Sequence, residues 1–238
     1  PKNQRKKKIY AILLILMILL GGVAYLVFTS EWYITQVNTN PGPFKRINFV
    51  PENKAVSNGN LTRTPEGLVI MNLEGTYAEM GYAHGLLLGE YIKYSVEYML
   101  LLTKTPKIYA EAHAVIEEYA VINETYHESE IHNIFQAAVD SKVDRFVPGL
   151  KREWDETDLW MLNSIQDWYQ IFCSGTGVWG SSSATGKTIL SRTLDFGIDR
   201  NAFLIQMNLI AHYHGDSTRN DVIAFTFPGI IGVMSGFN

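Results

Sequence analysis

Three glycines at four-residue intervals, Gly81, Gly85 and Gly89 in "EGTYAEMGYAHGLLLGEYIKYSVEYMLLL" (74–102), constrain this chain more than any other feature. Thr76 followed three residues later by Glu79 is a capping box, which predicts a helix starting at Tyr77. In that helix the glycines fall on one face, and each costs about 1 kcal/mol relative to alanine. Three in register predict that another element packs its backbone against them. A membrane GxxxG dimer is the wrong reading, because Glu79, His84 and Glu90 share the segment.

Helical spacing of apolar residues continues from Ile108 to Tyr126, Ile131 to Val147 and Thr157 to Tyr169, with "HESE" and "VPGLKREWDE" between them. A strand-like run, Gly67 to Leu73, precedes these helices. After Cys173 the texture changes: Thr188 to Leu194, Phe203 to His212 and Val222 to Phe227 alternate or run apolar at strand length. The stretches "ATGK" and "HGDSTRND" read as the turns between them. Helices followed by an antiparallel meander starting near Cys173 give an α+β class. A hydrophobic content of 47% against 18% charged residues supplies a real core, and a net charge of −4 argues against a nucleic-acid partner.

Ahead of all this, Ile9 to Phe28 is an uncharged run of about 20 positions, long enough to cross a hydrocarbon core. Lys2, Arg5, Lys6, Lys7 and Lys8 precede it, so the positive-inside bias predicts a cytoplasmic N-terminus and an extracytoplasmic remainder. A cleaved signal peptide is the alternative, but the run exceeds the usual length and no A-x-A-like site follows. The reading is a basic tail (1–8), a single-pass anchor (9–28), a spacer (29–67) rich in Asn, Pro, Thr and Gly, a mainly helical region (68–172) and a β region (173–238). One short strand near Ile47 to Val50 is expected within the spacer. Asn60-Leu61-Thr62 and Asn123-Glu124-Thr125 are glycosylation sequons compatible with an external location. Proline at position 1 suggests a trimmed or incomplete N-terminus.

The chain contains one cysteine, Cys173, which excludes an internal disulfide and any multi-cysteine zinc site. On an oxidising face an odd cysteine is an intermolecular bridge or a reactive thiol, with a buried inert thiol as the plain alternative. Nearby "ATGKT" imitates a phosphate-binding loop. Counting back from Gly186 gives Ser181 where that loop needs glycine, and a strand rather than a helix follows Lys187. His212 and His214 fall on one strand face as a metal pair would, though two polar residues at a strand end are more simply solvated. "HESEIH" is not H-E-x-x-H, and no metal or other cofactor is expected. A cut before Cys173 would give the thiol a base on its own residue, since a free α-amine has a pKa of about 7.7–8. In "SRTLDF", Arg192 could then stabilise a thiolate or developing anion, and Asp195 could hold the amine.

Cys-Ser at a strand start, a Gly-Lys turn and "ILSRTLDF" resemble the N-terminal-nucleophile (Ntn) hydrolases, closest to the peptidase C45 group that includes acyl-coenzyme A:6-aminopenicillanic acid acyltransferase. "GTYAEMGYAHGLLLGE" and "FPGIIGVMSGFN" resemble the same group, so the likeness covers about 75 to 238. It implies an αββα sandwich and a precursor that cuts itself between Phe172 and Cys173 into two chains that stay associated. It implies Cys173 as nucleophile and, through its amine, general base, with Asp195 orienting the amine, Arg192 supporting the anion and Asn238 at the oxyanion site. The substrate class would be an N-acyl compound or acyl donor. "RTLD" departs from the common "RN-x-D", with Thr193 in place of Asn, and the Cys173–Arg192 loop is longer than in distant relatives. The family fold continues past Asn238, so a truncated piece, incomplete as a sandwich and unable to mature unaided, is expected. A non-catalytic, membrane-anchored binding protein that keeps the fold is the alternative function.

Overall fold

In a computed structural model of the chain, the structure describes residues 47, 49–103, 106–119, 126–164, 172–195, 206–231, 233 and 235–237. Apart from Ile47 these belong to one compact unit formed by Asn48–Ile198 and Phe203–Asn238. The architecture is mixed α and β, as expected for an α+β chain. No helix among the described residues is long and apolar enough to cross a membrane. The apolar run 9–28 and the sequon at Asn123 lie outside the described residues.

Helix α1 (Tyr77–Leu102) begins where the capping box predicts. The Glu79 carboxylate accepts from the Thr76 N–H at 2.8 Å, and the Thr76 hydroxyl accepts from the Glu79 N–H at 3.3 Å. Helices α2 (Pro106–Tyr119), α3 (Tyr126–Asp140) and α4 (Glu156–Asn163) follow. Their bounds differ from the spacing-based reading: "HESE" lies inside α3 rather than before it, and the segment 141–155 leaves the helix. There a short hairpin, β4 (Phe146–Val147) with β5 (Arg152–Glu153), forms between α3 and α4.

The glycine face of α1 meets α3. A Cβ at Gly81 would collide with the Glu130 carbonyl, and one at Gly85 with the Ile134 carbonyl and, at 2.7 Å, the Ala137 methyl. Gly89 is more relaxed, with Ala138 and Val143 at 3.4 Å. Two of the three glycines therefore set the helix spacing. Below this pair a core forms around Ile92, Val96, Ile134, Trp154 and Leu159, all fully buried.

The main sheet has six strands in the order β1 (Lys54–Val56), β2 (Gly59–Arg63), β3 (Val69–Leu73), β8 (Leu209–Tyr213), β9 (Val222–Thr226), β10 (Ser235–Phe237). Neighbours are antiparallel except β3 and β8, which run parallel and join two three-stranded meanders. Two expectations need correction. The stretch 54–63, read as spacer, forms two strands, because "SNGN" turns the chain tightly enough to pair Val56 with Gly59. The meander expected from Cys173 onward divides: β6 (Phe172–Val178) and β7 (Ile189–Asp195) form their own two-stranded sheet, and only the later strands join the main one. Pleating sorts the main sheet. Val69, Met71, Leu73, Leu209 and Ala211 are buried on the side that α1 covers, while Ile70, Asn72, Ile210 and His212 on the other face are half-buried.

Candidate functional site

The β6–β7 ladder organises the residues singled out by sequence. It pairs Phe172 with Asp195, Cys173 with Leu194, Ser174 with Thr193 and Gly175 with Arg192. Paired positions share a face and successive positions alternate. Position 192 is thus on the face of position 173, two rungs along, whereas position 195 is on the other face, across from the residue before the cysteine. Arg192 is exposed. The side chains of Cys173 and Asp195, and the whole of Asn238, lie outside the described residues.

Between these strands the chain makes a short 3₁₀ turn (Gly180–Ser182) and a tight turn in which the Gly186 N–H donates to Ser183 O at 3.1 Å. Gly186 has φ of 69°, and β7 starts two residues after Lys187. A phosphate loop needs a helix N-terminus at this lysine. Here a strand stands in its place, so "ATGKT" is a hairpin connection.

The two flanking stretches, 75–90 and 227–238, meet in space. The turn after β9 at Pro228-Gly229 is clamped from α1 and α4: the Gly229 N–H donates to His84 Nε2 at 3.1 Å, and the Ser95 hydroxyl donates to Pro228 O at 2.8 Å. Asn163 bridges the turn, donating to Gly229 O at 2.8 Å and accepting from the Ile231 N–H at 2.9 Å. Gly229 has φ of 86° and sits against Leu162 and Ile92, so neither its conformation nor its surroundings admit a side chain readily. Because His84 Nε2 accepts, the imidazole carries its proton on Nδ1 and is neutral. Complete burial agrees, holding its pKa down at about 4. No sequence pattern points to this histidine, because its partner lies 145 positions away.

Two further polar sites escaped the sequence reading. Glu130 is buried under the α1–α3 contact with Oε1 unpartnered, and burial lifts its carboxyl to about 8, against a smaller opposing pull from Arg219. The Tyr213 hydroxyl is likewise buried and unpartnered, and burial, then the Glu130 charge, raise its pKa. Elsewhere Asp158 accepts from the Tyr109 hydroxyl at 2.7 Å and from both Arg152 nitrogens at 2.6 and 2.8 Å. Asp155 caps α4 and contacts His113 at 3.0 Å. The Asp158 carboxylate is saturated by Arg152, Tyr109 and the Asp155 N–H, and this cluster ties α2, β5 and α4 together.

No family model matches the chain. It is similar to Protein dcd1B of Dictyostelium discoideum, with 24% identity over 208 residues. That match covers 77% of this chain and 39% of the relative, so the chain spans well under half the relative's length.

Proposed function

We propose that this chain belongs to a membrane-anchored, self-processing cysteine amide hydrolase or acyltransferase of the Ntn type, with an αββα core and Cys173 as the nucleophile. One observation carries the reading: the β6–β7 register. Asp195 stands across from Phe172, beside the peptide bond whose cleavage would free the Cys173 amine, and Arg192 shares the face of position 173. An aspartate that holds the new ammonium and an arginine that supports a thiolate are the two electrostatic partners an N-terminal cysteine needs.

The chemistry balances without a cofactor. The Cys173 thiol passes its proton to its own amine and attacks an N-acyl carbonyl, and an anion develops on the carbonyl oxygen. Arg192 and the Asn238 amide stabilise that charge. The C–N bond breaks, and the leaving amine takes the proton from the Cys173 ammonium. Water then hydrolyses the thioester, or an amine takes the acyl group. The clamp at Gly229 supports the same reading, since it ties the helical region to the stretch leading to Asn238, as two cleaved chains that stay associated would require. Residues 9–28 would anchor the whole to a membrane with Cys173 outside.

Expression of the complete gene product followed by N-terminal sequencing tests this. A new terminus reading Cys-Ser-Gly-Thr, absent in Cys173→Ala, is the expected result. A mature protein with the 172–173 bond intact, unchanged by Cys173→Ala, would instead favour a binding protein on the same scaffold.

A further inference from the structure

We propose that His212, His214 and Asp221 form a binding site for a divalent transition-metal ion of the zinc class. The fold brings these three together on the half-buried face of the main sheet, opposite the side that α1 covers. His212 and His214 alternate along and just beyond β8, so both point to that face. The β8–β9 ladder pairs His212 with Ile223 and ends at Tyr213 with Val222, so His214 directly follows β8 where Asp221 directly precedes β9. One ligand atom from each of the three residues lies within 4.8 Å of the others.

The spacing suits a metal. His212 Nε2 and Asp221 Oδ2 are 3.2 Å apart, and the imidazole centroids are 3.8 Å apart with a 39° tilt. Two ligands on a tetrahedral zinc at bond lengths of about 2.0–2.1 Å are separated by about 3.3 Å. The 3.2 Å edge needs almost no rearrangement. The donors are two imidazoles and one carboxylate with no thiolate, a set that selects zinc, cobalt, nickel or copper over magnesium or calcium.

The ligands are also held in place. The second oxygen of Asp221 accepts from the Gly215 N–H at 2.7 Å, which aims Oδ2 at His212. The loop between the strands is pinned from both ends. Asp216 accepts from the Thr218 N–H and hydroxyl, both at 2.7 Å, and from Arg219 at 2.6 Å. Arg219 in turn donates to Gly75 O at 2.7 Å and lies over the Tyr77 ring at 5.0 Å. Three protein ligands leave a tetrahedral ion one open position. His214 also walls a recess of about 170 Å³ with Asn60, Asn72 and Glu74, where water or a small polar ligand could complete the coordination.

Titration of the purified full chain with Co²⁺ and Zn²⁺ at neutral pH tests the site, independently of any activity. One equivalent of Co²⁺ is expected to give the visible d–d band of a low-coordinate site, displaced by Zn²⁺ and not by Mg²⁺ or Ca²⁺. His212→Ala, His214→Ala and Asp221→Asn should each weaken Zn²⁺ binding by about tenfold or more. His113→Gln and Cys173→Ala should leave it unchanged. Asp221→Asn keeps the acceptor for Gly215 N–H, and matching circular dichroism without metal verifies its fold. Absence of saturable Zn²⁺ binding overturns the proposal. So does binding that survives Asp221→Asn and both histidine variants, or that depends on Cys173 or His113 instead.

Discussion

The α1–α3 pair and the β6–β7 hairpin use glycine in opposite ways. In the helix pair, Gly81 and Gly85 exist because the partner backbone occupies the space of a side chain. In the hairpin, a Cβ at Gly175 would find its nearest neighbour at 3.8 Å, ordinary contact. Burial follows the same division. Residues flanking the helix contact, such as Leu88, Ile92, Ile134 and Ala137, are fully buried, while from Gly175 to Thr193 none is and only Ser183 is largely buried. Trp179 and Leu190 are 68% and 63% exposed. Packing energy is therefore concentrated in the helices, and the proposed chemistry sits on an element held mainly by its ladder. Stability and activity should respond to substitutions in different places.

The largest effect expected is at the helix contact. Alanine normally stabilises a helix relative to glycine, but Gly81→Ala and Gly85→Ala should each cost about 3 kcal/mol, because the methyl group meets backbone rather than a movable side chain. Gly175→Ala should change stability by no more than about 0.5 kcal/mol. Denaturant unfolding of the three variants compares them directly, and equal costs would dissolve the contrast.

Next in size are the two buried titrating groups of the helix pair, whose signs oppose. His84 has its pKa depressed to about 4, so between about 6.5 and 4 the unfolded chain takes up a proton that the folded one refuses. Stability should fall as pH drops through that window, by on the order of 3 kcal/mol. His84→Gln, which can still accept from Gly229, should flatten the acid limb. Glu130 has its pKa raised to about 8, so from about 4.5 to 8 the unfolded chain loses a proton that the folded one keeps. Stability should therefore fall as pH rises through that window, and Glu130→Gln should remove this loss. Thermal unfolding across pH reads both, and a profile unchanged by either variant would place the pH sensitivity elsewhere.

Gly229→Ala should cost about 1–2 kcal/mol, from the left-handed backbone alone. This loss arises at a clamp between regions rather than inside either. Smallest of all, Arg192→Lys should shift the unfolding midpoint negligibly, because the side chain is exposed. The same change should sharply reduce thiol labelling of Cys173 or its self-processing if Arg192 supports a thiolate, as lysine lacks the planar fork.

Several features were legible in the sequence because their causes act within a few residues. The Thr76–Glu79 box starts α1, the glycine spacing sets its close-packed face, and the β-branched run after Lys187 forms a strand instead of a phosphate-binding helix. The strands at 54–63 were hidden because Asn- and Gly-rich stretches carry little periodicity, and their pairing with β3 is what makes them strands. The end of α3 and the small hairpin at 146–153 were hidden because Trp154 and Arg152 find their partners in tertiary space. The candidate site divides along the same line. The order Cys173, Arg192, Asp195 could be read directly, but which residue each stands across from, and that positions 173 and 192 share a face while 195 lies on the other, depended on the ladder register.

By itself, then, the sequence determined local geometry and the α+β class, through capping, spacing and alternation acting over one or two turns of chain. Tertiary structure alone decided the parallel β3–β8 pairing, the His84–Gly229 bond and the meeting of Asp221 with two histidines. The first two join positions more than a hundred residues apart, which leaves no local trace, and the third needs the register of a hairpin whose turn alone was legible.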